Sequence, residues 1–461
     1  MNMKTVFISI LTGVEAKDIL HTDVLQRLLD APDIRVVLFL RSRERAALYQ
    51  REWVDSERLR YEVVSKYNGV WLDRWFESLR HYLVYTRSQR LYKWLNFLER
   101  RNFMRYLVSS GISMFLARRL WRKMARWGDL HLVRNPVFSP YFEKYQPQCV
   151  FLANLFDEME IALLREAKQR KVPTIGFIGS WDKITTKGFI RILPDRLMVP
   201  NRFVWDEARI YADADQKTLS LTGMPSYDQY AKPDGILSRE EFFKKIGCDP
   251  ATHLMVLAPP GASFGGADWD VIDFLHALFE DGEIQDKVSL LVRFQPNDFS
   301  HPEELAKRPW LHYDIPGIRF STKRGTDWDM TPSELLHLKN TLFHSSLVLT
   351  CGSSIGIDAA IFGKPVITLN FETQVGRPPL QNPILRYGTV HIQRAFATGG
   401  MRLVNNKEEL LAWIHAYLED PSLDEEKRRQ LVQTHCWRVD GRAGERIANG
   451  IIEALTGTNH A

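Results

Sequence analysis

The sequence predicts a two-domain α/β protein in which each domain is built on a doubly wound parallel sheet. Three observations support this prediction. Residues 347–371 show the pattern strand, turn, helix and strand, and both strands are apolar throughout, as expected for parallel strands covered on both faces. The chain also opens with a strand, a loop, a helix and a second strand between residues 5 and 40. Finally, its 461 residues suffice for two domains of roughly 200 residues each.

A change of charge along the chain marks the predicted domain boundary. Residues 1–232 carry 38 lysines and arginines against 26 acids, a net charge of +12, whereas residues 233–461 carry 23 against 30, a net charge of −7. The polar segment 228–239 contains Pro233 and Gly235 and has the composition of a linker. We therefore predict domains over 1–232 and 233–461, with the first domain facing the more anionic partner.

The first domain begins with a predicted strand over 5–11 and a predicted helix over 19–29. The loop between them, residues 12–21, follows the carboxyl end of a strand, which is where open α/β sheets bind ligands. Gly13 can let a substrate approach the backbone, and His21 can act as a base. The alternative is that both are ordinary features of a turn and a helix.

A helical insertion over about 72–134 is the most basic part of the chain. Between Arg87 and Trp127 there are eleven lysines and arginines against the single acid Glu99, with aromatic residues interleaved. Cations mixed with aromatics on amphipathic helices suit an anionic membrane surface. The same composition can bind nucleic acid, or the aromatics can pack inward while the arginines stay solvated. We favour peripheral contact with a membrane through residues 87–127 and expect no nucleic-acid partner.

Residues 179–188, with the sequence GSWDKITTKG, follow another predicted strand and provide further candidates. Trp181 can stack on a sugar or a base, Asp182 can serve as a general base, and Lys187 can contact a phosphate. The simpler alternative is an ordered loop in which Asp182 is a turn residue.

The turn over 350–354 is the strongest candidate for a ligand site in the second domain. Gly352, Ser353 and Ser354 lack bulk, so backbone N–H groups and two hydroxyls can approach an anion at the positive end of the following helix. Asp358 lies one turn further on, where its carboxylate can accept hydrogen bonds from sugar hydroxyls. Alternatively, Ser354 only caps the helix and Asp358 is a solvated polar residue.

Two other segments of the second domain can contact phosphate. The glycine-rich loop 259–268 precedes a helix but matches neither the Walker nor the dinucleotide fingerprint. A predicted strand over 289–293 ends in Arg293, which suits a phosphate. Gln295 follows it and can donate a hydrogen bond to a phosphate, but a glutamine cannot carry a proton in acid/base catalysis.

Several of these runs resemble one group of enzymes. The run G-S-S-x3-D-A-x4-K-P-V over 352–366 resembles the donor-site signature of GT-B nucleotide-sugar enzymes. That signature usually has a glutamate, and the aspartate at 358 resembles more closely the CDP-glycerol glycerophosphotransferases and the proteins of capsule and surface polysaccharide synthesis. Other runs similar to that group are S-W-D-x-x-T-x-K-G at 180–188, P-D-R at 194–196, T-G-x-P-x-x-D at 222–228 and D-G-x-x-x-E-R-I at 440–447.

The resemblance implies the GT-B fold, in which two doubly wound Rossmann-like lobes face each other across a cleft. The basic helical insertion would enlarge the first lobe, and the last helix would cross back to it. In the group that the chain resembles, a histidine that contacts the donor phosphates stands where this sequence has Gln295. A serine is usual where this sequence has Gly444.

The function implied by the resemblance is metal-independent transfer of a sugar, or of a polyol phosphate, from a nucleotide-activated donor to a glycan or lipid-linked acceptor in surface-glycan synthesis. His21 or Asp182 would activate the acceptor hydroxyl, and the acceptor side of the cleft would include Gly13, Trp181 and Lys187. The residues that would hold the donor are Arg293, Gln295, Gly352, Ser353, Ser354 and Asp358.

Two alternatives remain open from the sequence. An isomerase similar to UDP-N-acetylglucosamine 2-epimerase has the same fold, but it needs acids and bases near the sugar, and the second domain shows no clear set. A non-catalytic nucleotide-sugar-binding scaffold in capsule assembly is motivated by Gln295 and Gly444, which depart from the pattern.

We expect no metal, no disulfide and no membrane span. The D-x-D pattern occurs at 213–215, 268–270 and 327–329, and three occurrences in one chain indicate chance rather than a metal site. No cofactor is expected, since the nucleotide donor is a substrate. The four cysteines are far apart, as in a cytoplasmic protein with reduced thiols. The apolar run near the N-terminus has only about six residues, too few for a signal sequence. We therefore expect a cytoplasmic protein that is peripheral on the inner face of the cell membrane.

Overall fold

A computed structural model describes residues 3–64, 67–284, 287–297, 302–320 and 327–457. The chain forms two compact units. The first comprises Met1–Lys93, Phe103–Asp228 and Val439–Ala461, and the second comprises Trp94–Asn102 and Gln229–Arg438. Each unit contains its own parallel sheet, and the connections between parallel strands place helices against the sheet. The predicted fold class of two doubly wound α/β units is therefore confirmed.

Seven strands form the sheet of the first unit: β1 (Lys4–Ser9), β2 (Ile34–Leu40), β3 (Leu59–Val63), β4 (Cys149–Leu152), β5 (Thr174–Phe177), β6 (Arg196–Val199) and β7 (Leu219–Leu221). All pairs are parallel, in the order β3-β2-β1-β4-β5-β6-β7. The order reverses between β1 and β4, where Val6 lies opposite Cys149. Such a reversal is the topological switch point, beyond which open α/β sheets form a ligand crevice.

The sheet of the second unit repeats this plan. Its strands are β8 (His253–Ala258), β9 (Val288–Arg293), β10 (His312–Asp314), β13 (Leu347–Thr350), β14 (Val366–Leu369) and β15 (Arg402–Val404), and the short strands β11 (Ile318–Arg319) and β12 (Trp328–Asp329) form a separate antiparallel pair. The parallel order is β10-β9-β8-β13-β14-β15, so the switch point lies between β8 and β13.

Helices follow the strands along the chain, and six short 3-10 turns are interspersed among the described residues. The helices are α1 (Gly13–Ile19), α2 (Asp23–Asp30), α3 (Arg43–Tyr49), α4 (Trp71–Leu79), α5 (Arg87–Arg100), α6 (Phe103–Leu116), α7 (Arg119–Leu132), α8 (Ser139–Tyr145), α9 (Glu158–Gln169), α10 (Lys183–Thr186), α11 (Arg202–Tyr211), α12 (Asp228–Ala231), α13 (Arg239–Ile246), α14 (Ala267–Glu280), α15 (Pro302–Ala306), α16 (Pro332–His344), α17 (Ile355–Ile361), α18 (Val390–Ala397), α19 (Lys407–Glu419), α20 (Glu425–Cys436) and α21 (Ala443–Thr456). None that the structure describes combines the length and the apolar character of a membrane span.

Alternate residues of β1 enter two separate apolar cores. Val6 and Ile8 pack on one side with residues of α1, α2 and α21. Phe7 packs on the other side, where α8 and α9 supply much of the core. Burial on both faces explains why the strand is apolar at nearly every position instead of alternating with polar residues.

The prediction of one helix over 19–29, preceded by a loop over 12–21, is wrong. Most of that loop is α1, which begins with a capping box in which Thr12 and Glu15 satisfy each other's backbone N–H groups. The hydroxyl of Thr22 ends the first helix by donating to the carbonyl of Asp18 at 2.7 Å, and Thr22 caps α2. Two capping signals, one of them a T-x-x-E pattern, therefore override the apolar spacing across the segment.

The last helix, α21, packs against α2. Ile447 and Ile451 lie in the same apolar core as Val24. The start of α21 is capped by Asp228, whose carboxylate accepts the N–H groups of Ala443 at 3.0 Å and of residue 444 at 2.7 Å. Charge at the start of a helix and satisfied N–H groups both stabilise this arrangement.

Helices α4 and α7 of the insertion are joined to the first unit by buried ion pairs. Arg165 of α9 lies 2.7 Å from both Asp73 of α4 and Asp129 of α7. Arg191 lies 2.6 Å from Asp129 and 3.2 Å from Asp73. Because all four side chains are buried, removal of any one would leave an uncompensated charge. These pairs therefore fix the position of both helices.

Candidate functional site

Three segments of the second unit converge at the switch point of its sheet. The glycine-rich loop 259–265 follows β8, the run 294–297 follows β9, and the turn 351–354 follows β13. Since β9, β8 and β13 are parallel neighbours, their carboxyl ends lie at one edge. The predicted donor-binding residues at 293, 295 and 352–358 are thereby brought to the same part of the molecule, at the position where such sheets bind ligands.

Hydrogen bonds hold the glycine-rich loop in place. Asp268 accepts the N–H group of Gly261 at 2.6 Å. The side-chain amide of Gln295 donates to the carbonyl of Pro260 at 3.0 Å, so it ties the end of β9 to the loop. Arg377 donates to the carbonyls of Phe264 and of the next residue at 3.0 and 2.9 Å. The loop is therefore a shaped element rather than an open coil.

The turn after β13 requires glycine at position 352. Gly352 has φ +76°, and a Cβ atom there would lie 2.7 Å from a ring carbon of Tyr387. The hydroxyl of Thr350 accepts the N–H of Ser353 at 3.0 Å. Ser354 is exposed, and its side chain makes no capping hydrogen bond, so the alternative of a capping serine is wrong. Because α17 has only seven residues, the attraction of its N-terminus for an anion is weaker than that of a long helix.

Arg293 lies in a buried polar cluster directly below this edge. Its side chain is 5% exposed, and its Nη1 atom lies 3.1 Å from Oδ2 of Asp314. His337 Nε2 lies 2.9 Å from the same oxygen. Burial lowers the pKa of the Arg293 guanidinium against the opposing effect of Asp314. Burial would raise the pKa of Asp314, but its hydrogen bond with His337 and the charge of Arg293 outweigh this and hold that pKa below its usual value.

Asp358 is hydrogen-bonded to a buried tyrosine. Burial raises the pKa of Tyr230 well above its usual range, and the charge of Asp358 and the hydrogen bond between them raise it further. Burial and the same carboxylate also raise the pKa of Cys436. The alternative that Asp358 is merely solvated is therefore wrong.

The first unit carries a different set of groups at its switch point. Glu15 of α1 accepts the N–H of Leu11 at 2.9 Å and the side-chain amide of Asn154 at 3.0 Å. Glu160 of α9 accepts the backbone N–H of Asn154 at 2.7 Å. Burial raises the pKa of both glutamates, and the charge of Glu15 raises that of Glu160 further. Lys183 opposes the shift of Glu15 and donates to Asn154 at 3.2 Å.

A third buried acid, Asp18, lies on α1. Burial raises the pKa of Asp18, while Lys17 and hydrogen bonds from Ser226 oppose the shift. A Cβ atom on Gly179 would lie 3.0 Å from Oδ2 of Asp18, so glycine allows the loop after β5 to approach the carboxyl group. Three acids with raised pKa values can hold and release protons nearer neutral pH than ordinary carboxyls do.

Gly13 and His21 stand at the start of α1 and just after its end. Gly13 is buried and is the first residue of α1. His21 lies in the turn between α1 and α2, and its side chain is only 5% exposed, with Nδ1 3.5 Å from Oε2 of Glu52. Their assignment to substrate binding and catalysis stays a prediction.

The loop after β5 is ordered by Asp182. Its carboxylate accepts hydrogen bonds from the hydroxyls of Ser180 and, at 3.2 Å, of Thr186, and Asp182 stands directly before α10. Trp181 is half-buried and Lys187 is exposed. Asp182 thus has the turn role, and its chemical role, like those of Trp181 and Lys187, stays a prediction.

Several residues at these sites could not be identified from the sequence. Asp314, His337 and Tyr230 in the second unit stand in no recognisable motif. In the first unit, Glu15 was detectable from the T-x-x-E capping pattern, but nothing indicated that Glu160 would lie beside it. Within the described ranges, no group of three histidines, cysteines or acids is arranged to hold a metal.

Comparison with known proteins identifies the fold. No protein-family model matches the sequence, and no curated protein has a similar sequence. A solved structure of UDP-GlcNAc 2-epimerase from Neisseria meningitidis, bound to UDP-GlcNAc, is similar with a TM-score of 0.56 at 12% identity, over 99% of this chain and 100% of that one. The wall teichoic acid polymerase TagF is similar with a TM-score of 0.53 at 12% identity, over 98% and 89% of the two chains. A glycosyltransferase from Rickettsia africae reaches 0.50 at 10% identity, over 98% and 100%.

These similar structures are nucleotide-sugar enzymes of the GT-B type. At such low identity the likeness is one of fold alone, and it extends over nearly the whole chain. It includes epimerases as well as transferases, so the reaction has to be argued from the sites.

Proposed function

We propose that this protein is a metal-independent transferase that binds a nucleotide-activated donor in its second unit and moves a sugar, or a polyol phosphate, to a surface-glycan acceptor. The observation that supports this best is the convergence of the glycine-rich loop, the end of β9 and the Gly-Ser turn at the switch point of one sheet. Phosphates suit such a site because small residues and backbone N–H groups can approach them closely.

In this proposal the charged cluster of the second unit holds the donor. Arg293 supplies a guanidinium that stabilises the departing nucleotide, which is a diphosphate in sugar transfer and a monophosphate in polyol-phosphate transfer. Asp358, hydrogen-bonded to Tyr230, accepts hydrogen bonds from hydroxyls of the ribose or the sugar. Gln295 acts indirectly by holding the glycine-rich loop through Pro260, and Ser353 and Ser354 offer hydroxyls at the edge.

A carboxylate of the first unit takes the proton of the acceptor hydroxyl. His21 and Asp182 are the residues predicted for this step. Asp18 is the stronger candidate because burial raises its pKa, and a general base works best when its pKa lies near the working pH. His21 is less suited because its ring is buried against Glu52.

The particular enzyme group we propose is that of the CDP-glycerol transferase-like and surface-polysaccharide proteins, working on the inner face of the cell membrane. The runs at 180–188, 222–228 and 440–447 support this group. TagF, which has a similar fold, is described as a wall teichoic acid polymerase, and its resemblance in fold is compatible with this proposal.

A thermal-shift screen tests donor binding. CDP-, UDP-, GDP- and CMP-linked donors are added in metal-free buffer to the wild type, to Asp358→Ala and to Asp281→Ala, a control at an exposed aspartate of the same unit. We expect one nucleotide class to raise the Tm of the wild type and the control but not of Asp358→Ala. If no donor stabilises the folded wild type, the donor site is misassigned.

A second candidate is an epimerase acting on a UDP-linked sugar. It is favoured by the buried acids Glu15, Asp18 and Glu160 of the first unit. An epimerase needs acid/base groups near the sugar, and the sequence showed no clear set of them in the second domain. Incubation with UDP-GlcNAc in D₂O without acceptor separates the two reactions. An epimerase must exchange the hydrogen at C2 of the sugar with solvent, whereas a transferase leaves C2 unlabelled and releases nucleotide only when an acceptor is present. Donor binding without exchange at C2, and without nucleotide release after an acceptor is added, would favour the non-catalytic scaffold.

A further inference from the structure

Helix α6 exposes apolar side chains that a folded protein usually buries. Met104 and Met114 are each 67% exposed, and Leu107, Val108 and Ile112 are also exposed. A mainly apolar helix is normally covered by a protein core or by lipid. With 14 residues, α6 is about 21 Å long. It is shorter than the roughly 30 Å hydrocarbon core of a bilayer, so it suits the plane of the membrane interface.

An open apolar groove lies between α4 and α7 beside the end of α6. It encloses about 660 Å³, and its twelve lining residues include only one charged side chain, Lys123. Leu116 of α6 lines it together with Trp75 of α4 and Trp127 of α7. The ring of Phe115 lies 5.5 Å from that of Trp121, which also lines the groove. The exposed face of α6 is therefore continuous with the groove.

The walls of this groove are preformed. Asp73 on α4 and Asp129 on α7 are both held by the buried pair Arg165 and Arg191. A ligand that enters the groove does not have to order these helices first, so little binding energy is lost in arranging them.

The charges around the groove complement an anionic surface. Arg118 and Lys123 are exposed beside it, and no acid occurs between residues 100 and 128. Not every cation of the insertion faces outward, because Arg122 and Arg126 are hydrogen-bonded to Asp213 at 2.6 and 3.0 Å. The cations that do face outward carry charge close to the exposed apolar side chains, which is the combination that binds anionic lipid.

We propose that α6 and the α4–α7 groove form a docking surface for an anionic phospholipid bilayer. Helix α6 lies in the interface, the groove takes a hydrocarbon chain of a lipid, and Lys123 at its rim contacts the phosphate of the headgroup. This inference does not depend on donor binding, since it concerns a different part of the first unit and is tested without nucleotide.

Flotation with vesicles tests the docking of α6. Vesicles of phosphatidylcholine, with and without phosphatidylglycerol, are mixed with the wild type, with the double variant Leu107→Glu/Val108→Glu and with Val375→Glu, a control at a side chain that is 88% exposed in the second unit. We expect the wild type and the control to float with the anionic vesicles. The double variant should need at least about tenfold more lipid for half binding.

Two results would overturn the docking surface. One is equal binding of the double variant and the wild type. The other is a wild type that ignores vesicles but forms a dimer in sedimentation velocity, with the double variant monomeric, since a second copy would then cover α6. Unfolding curves in urea confirm that each variant is folded before it is used.

Quenching by lipids with brominated chains tests the groove. Trp127 is 61% exposed at the groove, so its fluorescence should fall when a brominated chain enters. The loss of fluorescence on binding brominated vesicles, per mole of bound protein, should be smaller in Trp127→Phe and unchanged in Trp413→Phe, a control on α19 of the second unit. Equal quenching of Trp127→Phe and the wild type would show that no chain occupies the groove.

Discussion

The two switch points of this protein share a topology but differ in charge. In both sheets the first strand along the chain, β1 or β8, lies inside the sheet, and later strands are added on either side of it. In both, loops lie at the point where the strand order reverses. The first unit fills that edge with buried acids whose pKa values are raised, Glu15, Asp18 and Glu160. The second places glycines and serines there, above Arg293 and an Asp314 whose pKa is lowered.

This difference shows that the fold determines where a site forms and that the side chains determine what it can do. Acids with raised pKa values suit proton transfer, whereas an arginine below a small-residue turn suits a phosphate. The opposite pKa shifts also mean that the two edges should respond to pH in opposite directions, which makes the comparison testable.

The largest effect should come from Asp314→Ala, which leaves Arg293 buried without its partner. We expect a loss of about 3 kcal/mol in the free energy of unfolding at neutral pH, measured by urea unfolding. Because the pKa of Asp314 is lowered in the folded state, its contribution is present above the usual pKa near 3.8 and is lost as the pH falls through the lowered value. The gap between variant and wild type should therefore shrink below about pH 4.

The matched control is Asp273→Ala. Asp273 pairs with Arg308, but its side chain is 52% exposed, so a loss of only about 0–1 kcal/mol is expected. Similar losses of stability in the two variants would mean that the buried pair of Arg293 and Asp314 contributes no more than a surface ion pair.

A smaller effect is expected from Gly352→Ala, which adds a Cβ atom 2.7 Å from the ring of Tyr387 at a residue with φ +76°. The ring cannot easily move, because its hydroxyl donates to the carbonyl of Leu369. We expect a loss of about 2 kcal/mol and a weaker thermal shift with donor. Gly363→Ala is the control, since its φ is +70° and nothing lies within 4 Å. It should cost about 1 kcal/mol and leave the donor shift intact, and if it abolished the shift, the turn itself would not be the binding element.

At pH 5 the smallest effect is expected from Glu160→Gln, which keeps the shape of the side chain but removes a titrating group. The pKa of Glu160 is raised in the folded state, so its favourable contribution is present below the usual pKa of 4.5 and is lost as the pH rises through the raised value. Over that window, stability of the wild type should fall by about 1.4 kcal/mol per pH unit for this group.

Urea unfolding between pH 5 and pH 8 checks this expectation. The variant should show a flatter pH dependence and should match or exceed the wild type at pH 8. A pH dependence identical to that of the wild type would mean that Glu160 is not the carboxyl that holds a proton at the first edge.

The architecture was largely predictable from the sequence because its signal is local. The β13–α17–β14 unit follows the pattern expected for residues 347–371, since apolar strands and a short helix are encoded by neighbouring residues. The break between α1 and α2 was missed because Thr22 outweighs the apolar spacing on both sides of it.

The chemistry of the sites was less predictable because it depends on residues distant in sequence. Glu15 and Glu160 share Asn154. Arg293 pairs with Asp314 of another strand, and the same carboxylate also contacts His337 of α16. No spacing within a motif reports such pairings.

Three of the runs that carry the family resemblance, at 194–196, 222–228 and 440–447, contain residues that hold α21 in place. Asp228 caps α21, Arg446 donates to the carbonyl of Thr222 at 2.9 Å, and Arg196 lies 3.0 Å from Glu453 of the same helix. All of these contacts hold α21 against the rest of the first unit. These runs are therefore evidence for the fold more directly than for the reaction.

The contact between Asp228 and the start of α21 also has a consequence for synthesis on the ribosome. Asp228 and Ala443 are separated by 215 residues, and at about 5–20 residues per second the second of them appears roughly 10–40 seconds after the first. Throughout that time Val24 and Leu28 lack the helix that covers them in the finished protein. Until residue 443 has been made, this apolar surface of α2 therefore stays exposed, although all seven strands of the first sheet are already present.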